Sequence, residues 1–325
     1  MRTFALDRPA TVAEAVGLLA GDPAAQVIAG GTDLVTLMRD GVSAPARLVD
    51  ISGLGLDRIE WLPDGTLRIG ALCDNAPADQ RLRTEFPVIV EALRSGASPQ
   101  IRNMATVGGN LLQQPRCPYF RLPEFACNRR NPGSGCASIA GDSAKQAIFG
   151  ASDACVAVHP SDLAVALQAL EAFVLAQGPG GVRRIPMDEF HRLPATTPHI
   201  GHSLRPGELV IGVEIPPRHH GRRSHYVKFR DRASFAFALV SAAVAVDLRG
   251  GKVAVARVAL GGVAAKPWRA LDAERVLAGR PFGQAAIDAA AEAAVNGAVP
   301  RPDNAYKVEL VRRVVRRALT ELGGS

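Results

Sequence analysis

Apolar positions recur along this chain with two different periods, and the change between them divides it. Thr11 and Glu14 form a capping box ahead of "VAEAVGLLAG", whose apolar residues fall at helical spacing. "AQVIA" predicts a short buried strand. It runs into "GGTDLVTLMRDG", a helix capped by Thr32 or Asp33 and ending near Gly41. "ARLVDIS" and "TLRIGAL" read as further strands, with a tight turn at Pro63 to Gly65 between elements. "DQRLRTEFPVIVEALRSGA" carries the stripe of one amphipathic helix. After the turn-rich "SPQIRNMATVGGNLLQ" and a Cys-, Pro- and Gly-rich stretch, regular structure is expected again from Ala144. The elements there are "AIFGA", "ACVAV" and "SDLAVALQALEAFVLA", with Ser161 and Asp162 both N-cap candidates. "SHYVKFRDR", "ALVSAAVAVDL" and "ARVALGGVA" then alternate as an antiparallel sheet would, followed by helical patterns to the end. The best boundary lies in "HRLPATTPHIGHSLRPGE" and continues through "IPPRHHGRRSH". The expected domains are therefore 1–218, with a cysteine insertion at about 113–156, and 219–325.

Composition narrows the function classes. A length of 325 residues suits two domains, and 47% apolar residues can fill both cores. The net charge of +7 is concentrated in "VELVRRVVRRALTEL" and "PPRHHGRRSHYVKFRDR", and aromatics make up only 5%. Two solvated or subunit-facing basic surfaces explain this better than nucleic-acid binding. No apolar run approaches the ~20 residues of a membrane span, so membrane insertion is not expected. Asp7 and Glu14 stand where a signal peptide needs its apolar centre. The expected location is cytoplasmic, or periplasmic by co-export with a signal-bearing partner. Reduced thiols are then the default.

Two glycine pairs offer candidate chemistry. "VIAGGTDL" (Val27 to Leu34) and "ATVGGNLL" (Ala105 to Leu112) each place Gly-Gly between an apolar run and a small polar residue. Without a Cβ, main-chain amides can approach a phosphate and form an anion-binding nest. Neither pair is a G-x-G-x-x-G fingerprint or a P-loop. Each alone reads first as a plain turn; the two together suggest a dinucleotide held between two lobes.

Four of the five cysteines cluster: Cys117, Cys127, Cys136 and Cys155, separated by nine, eight and eighteen residues. This is neither a zinc knuckle nor a ferredoxin run. Spacing alone leaves an iron–sulfur cluster, a four-cysteine zinc site, two disulfides and no joint role all open. Arg116, Arg121, Arg129 and Arg130 crowd the same loop and would offset the negative charge of a thiolate-ligated cluster. Pro115, Pro118, Pro123, Pro132, Gly133 and Gly135 suit a chain wrapping an object, and so long a loop needs an organising centre.

Several stretches in order, "VIAGGTDL", "QIRNMATVGGN", "HPSDLAVAL", "ELVIGVEIP", "KFRDRASFAFALVSAA" and "ALGGVAAKPWRA", resemble the FAD-binding subunit of the molybdenum hydroxylases. That group covers xanthine dehydrogenases, carbon monoxide dehydrogenases and aldehyde oxidoreductases. The cysteine insertion is similar to that of the PaoABC type of bacterial aldehyde oxidoreductase, whose flavin subunit carries a [4Fe–4S] cluster besides FAD. The resemblance implies an α+β fold: a two-lobed FAD-binding domain of the vanillyl-alcohol-oxidase type, then a small α/β C-terminal domain with an antiparallel sheet. It places FAD against Val27, Ile28, Ala29, Gly30, Gly31, Thr32, Asp33 and Leu34, with the amides of Ala29 to Asp33 on the pyrophosphate. Thr106, Gly108, Gly109 and Asn110 would form the second phosphate and ribityl contact. Asp162 would accept from FAD hydroxyls, although as a bare residue it reads first as a helix cap. Val210 would pack near the isoalloxazine and Lys228 would lie near the flavin ring, favouring its reduced, anionic form; otherwise they are ordinary strand residues. Cys117, Cys127, Cys136 and Cys155 would ligate the cluster. "RSGASP" replaces an aromatic that some members stack on the adenine, which leaves the adenine contact unassigned.

The resemblance further implies that no catalytic residue resides here. A partner with molybdenum cofactor would oxidise an aldehyde. A second partner with [2Fe–2S] clusters would pass electrons to FAD, and an external acceptor would take them on. Rival readings are the flavin subunit of a 4-hydroxybenzoyl-CoA reductase-like enzyme and a non-redox zinc scaffold held by the same four cysteines.

Overall fold

The computed structural model of the chain describes residues 2–76 and 79–323. Thr11 caps the helix Val12–Gly21 by accepting from the Glu14 N–H, while the Glu14 carboxylate accepts from the Ala10 N–H. That helix covers a three-stranded parallel sheet in which Arg47–Asp50 lies between Ala5–Asp7 and Gln26–Ile28. Ala15, Val16, Leu19, Val49 and Ile51 form the small core of this first lobe.

The second lobe is built on a five-stranded antiparallel sheet, in the order Ile59–Trp61, Leu67–Gly70, Leu209–Ile215, Phe173–Gly178, Gly181–Pro186. The helices Pro87–Ser95, Val107–Leu112 and Asp162–Ala169 bury their apolar faces in its core. Every residue of Asp162–Ala169 is buried. The long amphipathic stripe forms two helices rather than the expected one, Gln80–Glu85 and Pro87–Ser95. Pro87 has no N–H to continue the first helix, and its ring drives Phe86 out of the helical region to φ −143, ψ 62.

In the C-terminal part four antiparallel strands run in the order Trp268–Arg269, Lys252–Gly261, Val240–Arg249, Ser224–Phe229. The helices Leu271–Leu277, Gln284–Ala293 and Tyr306–Gly323 cover one face. The other face meets the second lobe: Ala243 joins the core beneath Asp162–Ala169, while Ala242, Val244 and Val246 join the core beneath the C-terminal helices. Burial on both faces explains why this strand reads as a nearly continuous apolar run. The four arginines of the last helix are ion-paired, Arg312 and Arg316 with Glu292, Arg313 with Glu309 and Arg317 with Glu321. This part of the basic surface is a salt-bridged helix face.

"AIFGA" and "ACVAV" form neither a helix nor a strand, contrary to the expectation of regular structure. Ile148 and Phe149 instead donate their N–H groups to the Val263 carbonyl, and Phe149 stacks on Trp268 at 4.9 Å. Both enter the C-terminal core fully buried. The apolar character that suggested regular elements serves a docking contact with a loop of the C-terminal sheet.

Candidate cofactor site

The first glycine pair lies where Gln26–Ile28 leaves the parallel sheet and the short helix Leu34–Arg39 begins. Gly31 has φ +69, a conformation that side-chain-bearing residues rarely adopt. A Cβ on Gly30 would lie 1.7 Å from the Met104 carbonyl oxygen, so this glycine lets the two lobes touch at the main chain. Among the described residues, no N–H from Ala29 to Asp33 donates a hydrogen bond. Five successive donors without partners, in a loop with a positive-φ glycine, are main-chain groups of the kind from which anion-binding nests are built.

Asp33 does not cap its helix, contrary to the sequence expectation; its side chain makes no bond to the helix amides. Its carboxylate turns toward the cysteine insertion. One oxygen accepts from Arg116 Nη1 at 2.6 Å and Arg121 Nη2 at 2.8 Å, and the other from the Gln114 N–H at 2.8 Å. Burial pushes the carboxyl up, but the Arg116 charge and the Arg121 bond outweigh it and hold the pKa below the usual range.

The second glycine pair is built differently. Gly108 and Gly109 lie inside the helix Val107–Leu112, and Thr106 caps it by accepting from the Gly109 N–H. The Gly108 N–H donates to the Ala71 carbonyl, Val107 to Cys73 and Asn110 to Thr106. These amides are occupied, so any contribution to ligand binding from this segment comes from side chains. Asn110 Oδ1 accepts from Ser161 Oγ at 2.6 Å and from Gln113 Nε2 at 2.9 Å, joining the segment to the neighbourhood of Asp162.

Ser161, not Asp162, caps the helix Asp162–Ala169. Asp162 accepts from Tyr226 Oη at 2.6 Å and pairs with Lys228 Nζ at 2.7 Å. Lys228 also donates to the Ser95 carbonyl. The Lys228 and Asp162 side chains are 3% and 9% exposed, so the expected pair of cofactor contacts is first a buried ion pair across the domain junction. Burial, then the neighbouring Asp162 charge, pushes the Tyr226 hydroxyl well above its usual pKa, so it stays a donor. Val210 is buried in the second-lobe core.

Cys117, Cys127, Cys136 and Cys155 line one small cavity with Phe120, Arg129 and Val156. All five cysteines are free thiols, so the two-disulfide alternative does not hold in this structure. Cys127 and Cys136 face each other across an isolated antiparallel bridge. Gln146 Nε2 and the Ala157 N–H approach Cys117 Sγ and Cys155 Sγ, each at 3.5 Å. Burial pushes the Cys155 thiol up to about 11. Among the described residues, no three His, Cys, Asp or Glu side chains converge to hold a single metal ion. The four loop arginines do not all serve this cavity. Only Arg129 lines it; Arg116 and Arg121 hold Asp33, and Arg130 donates to the carbonyls of Tyr119, Phe120, Pro123 and Phe125.

Residues 2–218 match the FAD binding domain in molybdopterin dehydrogenase, and residues 224–322 match the CO dehydrogenase flavoprotein C-terminal domain. The chain belongs to the FAD-binding subunits of the molybdenum hydroxylases. It is 45% identical to the aldehyde oxidoreductase FAD-binding subunit PaoB of Escherichia coli, over 99% of this chain and 98% of that one. It is 31% identical to the 6-hydroxypseudooxynicotine dehydrogenase complex subunit alpha of Paenarthrobacter nicotinovorans, over 96% and 91%. Among solved structures it is similar to the carbon monoxide dehydrogenase of Hydrogenophaga pseudoflava that lacks the Mo-pyranopterin moiety, with 26% identity and TM-score 0.77 over 99% and 98% of the chains. This flavin subunit is thus an oxidoreductase component with the α+β, two-part architecture its sequence implied.

Both implied groups fit the residues present. The unpartnered amides of Ala29 to Asp33 suit a diphosphate, and four thiols around one cavity, with polar N–H groups on two sulfurs, suit an iron–sulfur cluster. Three features escaped the sequence reading. His159 and His191 both direct Nε2 to the Leu111 carbonyl, their rings 4.0 Å apart. Burial holds His191 down at about 4, so both roles are those of neutral donors. Lys307 is fully buried, donating to the carbonyls of Lys145, Gln146 and Gly262. Tyr226 is the third. Only Tyr226 had a sequence signal, as the inward partner in the alternating "SHYVKF".

Proposed function

We propose that this chain is the FAD- and [4Fe–4S]-carrying electron-transfer subunit of a molybdenum-dependent aldehyde oxidoreductase. It would work with a molybdenum-cofactor large subunit and a [2Fe–2S] small subunit, and deliver electrons to an external acceptor. The observation that carries the reading is the gathering of Cys117, Cys127, Cys136 and Cys155 on one cavity, in a chain otherwise matched end to end by an aldehyde oxidoreductase flavin subunit. When bound, FAD would supply exchange between two-electron and one-electron steps and the cluster one-electron relay.

The chain's own residues would hold and orient these groups. Amides of Ala29 to Asp33 bind the diphosphate, with Val27, Ile28 and Leu34 shaping the loop around them. Thr106, Gly108, Gly109 and Asn110 present the opposite wall. Asp162 and Lys228 act as a pair, so that Lys228 brings little net charge to the flavin ring, while Val210 supports it from the core. The four thiols hold the cluster as thiolates, with Arg129 as the adjacent cation. Residues 1–218 act as the FAD-binding domain and 219–325 as the C-terminal domain. No described helix is long and apolar enough to cross a membrane. We place the complex in the cytoplasm, or in the periplasm by co-export.

The test is purification with the subunits encoded beside it, followed by FAD, iron and acid-labile sulfide analysis and turnover of aromatic aldehydes and acyl-CoA thioesters. The reading expects one FAD per copy of this chain, and about four iron and four sulfide beyond those of the small subunit's [2Fe–2S] clusters, with aldehyde oxidation. Zinc without flavin overturns it, and thioester reduction without aldehyde oxidation moves the assignment to the benzoyl-CoA reductase type.

A further inference from the structure

An aspartate at the end of a diphosphate-binding loop is an electrostatic contradiction. Asp33 sits at the end of the five unpartnered amides, and its carboxylate would repel the anion they attract. The structure resolves this with cations from a distant part of the chain. Arg116 and Arg121 both bind one Asp33 oxygen, and the Gln114 N–H binds the other. All three belong to the cysteine insertion, and Arg116 immediately precedes Cys117. The clamp is substantially removed from water: the side chains of Asp33, Arg121 and Arg116 are 18%, 16% and 28% exposed. Arg116 is further fixed by Phe237, whose ring centroid lies 4.7 Å from the guanidinium carbon, and by Gln113 Oε1. Gln113 in turn donates to Asn110, so one polar chain runs from the first glycine loop to the second wall of the site.

We propose that the cysteine insertion neutralises Asp33 and thereby makes the first glycine loop able to hold the diphosphate of FAD. Two arginines against one carboxylate leave the loop net positive, and Asp33 becomes the hinge pin that fastens the flavin site to the thiol cavity. Arg116 and Arg121 are positioning residues that act through Asp33. This inference rests on the reading of Ala29 to Asp33 as the diphosphate loop. It goes beyond that reading by giving the insertion a role in flavin affinity independent of electron transfer.

The probes are FAD and riboflavin, titrated against the assembled complex after its flavin has been removed. Riboflavin has the ring and ribityl chain without the diphosphate. The Arg116→Ala/Arg121→Ala variant is expected to lose at least about tenfold in FAD affinity and to bind riboflavin as before. Adding Asp33→Asn removes the unbalanced charge and is expected to restore most of the FAD affinity, which a purely structural pair of arginines would not allow. Asp33→Asn alone is expected to retain the preference for FAD, and serves as the control if the arginine variant assembles poorly. If wild type binds riboflavin as tightly as FAD, the diphosphate loop itself is wrong. If wild type prefers FAD but the arginine variant keeps that preference, or Asp33→Asn fails to rescue it, the diphosphate loop stands and the neutralising role falls.

Discussion

Gly30-Gly31 and Gly108-Gly109 follow similar apolar runs and precede similar polar residues, yet their main chains are used in opposite ways. Around the first pair, five successive amides have no partner and a neighbouring lobe approaches within contact of where a side chain would begin. Around the second, the amides bond to Ala71, Cys73 and Thr106, and the glycines form the opening turn of a helix. Identical local composition is therefore compatible with a receptive loop and with a saturated one. What separates them is whether a neighbouring strand end supplies carbonyls. The chain from Gly70 to Cys73 does so for the second pair, whereas the first leaves the edge of its sheet and the one carbonyl packed on it, that of Met104, accepts from none of its amides.

Graded substitutions test this contrast. The largest effect is expected for Gly30→Ala, because the new methyl meets a main-chain oxygen that cannot turn aside; the cost is on the order of 3 kcal/mol or more, with loss of flavin. Thermal unfolding and the flavin content of the purified complex measure it, and a fully flavinated, equally stable variant would show that the lobes do not meet there. Thr106→Ala follows, losing about 1 kcal/mol as the cap on the Gly109 amide disappears. Denaturant unfolding should register this as a lower midpoint at unchanged slope. Gly109→Ala is expected to fall within about 0.5 kcal/mol of wild type, since better helix propensity offsets a 3.1 Å approach to the Thr106 hydroxyl. A cost as large as that of Gly30→Ala would erase the distinction between the pairs.

The weakest effect concerns pH. The folded Asp33 carboxyl has a depressed pKa, so its stabilising contribution is fully present above the unfolded value of about 4 and disappears as pH falls through the folded value. Unfolding stability should thus show no Asp33-dependent change between about pH 5 and pH 8, while an Asp33-dependent loss below about pH 4 should be absent from Asp33→Asn. Denaturant unfolding across an acid titration follows this directly; an Asp33-dependent step near neutrality would contradict the clamp.

Much of the architecture was legible because burial writes itself into periodicity. Apolar strand-like patterning along Val240–Arg249 and its neighbours announced the C-terminal sheet, and Thr11 with Glu14 announced the first helix. The failures have a common cause in tertiary partners. Asp33 reads as a cap until two arginines more than eighty positions away claim its carboxylate. Asp162 reads as a cap or a ligand until Lys228 and Tyr226 take it. The loop arginines read as counter-charges for the thiols, although two of them belong to the aspartate and one to carbonyls. Proximity in sequence grouped these polar residues, but their bonding was decided by elements that local patterning does not specify.

Ile148 and Phe149 carry a consequence for how the molecule can be taken apart. They belong to the cysteine insertion, yet they fill the interior of the C-terminal half, burying side chains that contribute about 2 kcal/mol each. Cutting the gene near residue 218 would leave the later fragment with a vacancy where an aromatic ring belongs, and the earlier fragment with that ring stranded in water. The loop that gathers the thiols is therefore also the tether by which each half completes the other, and neither half is expected to be self-sufficient.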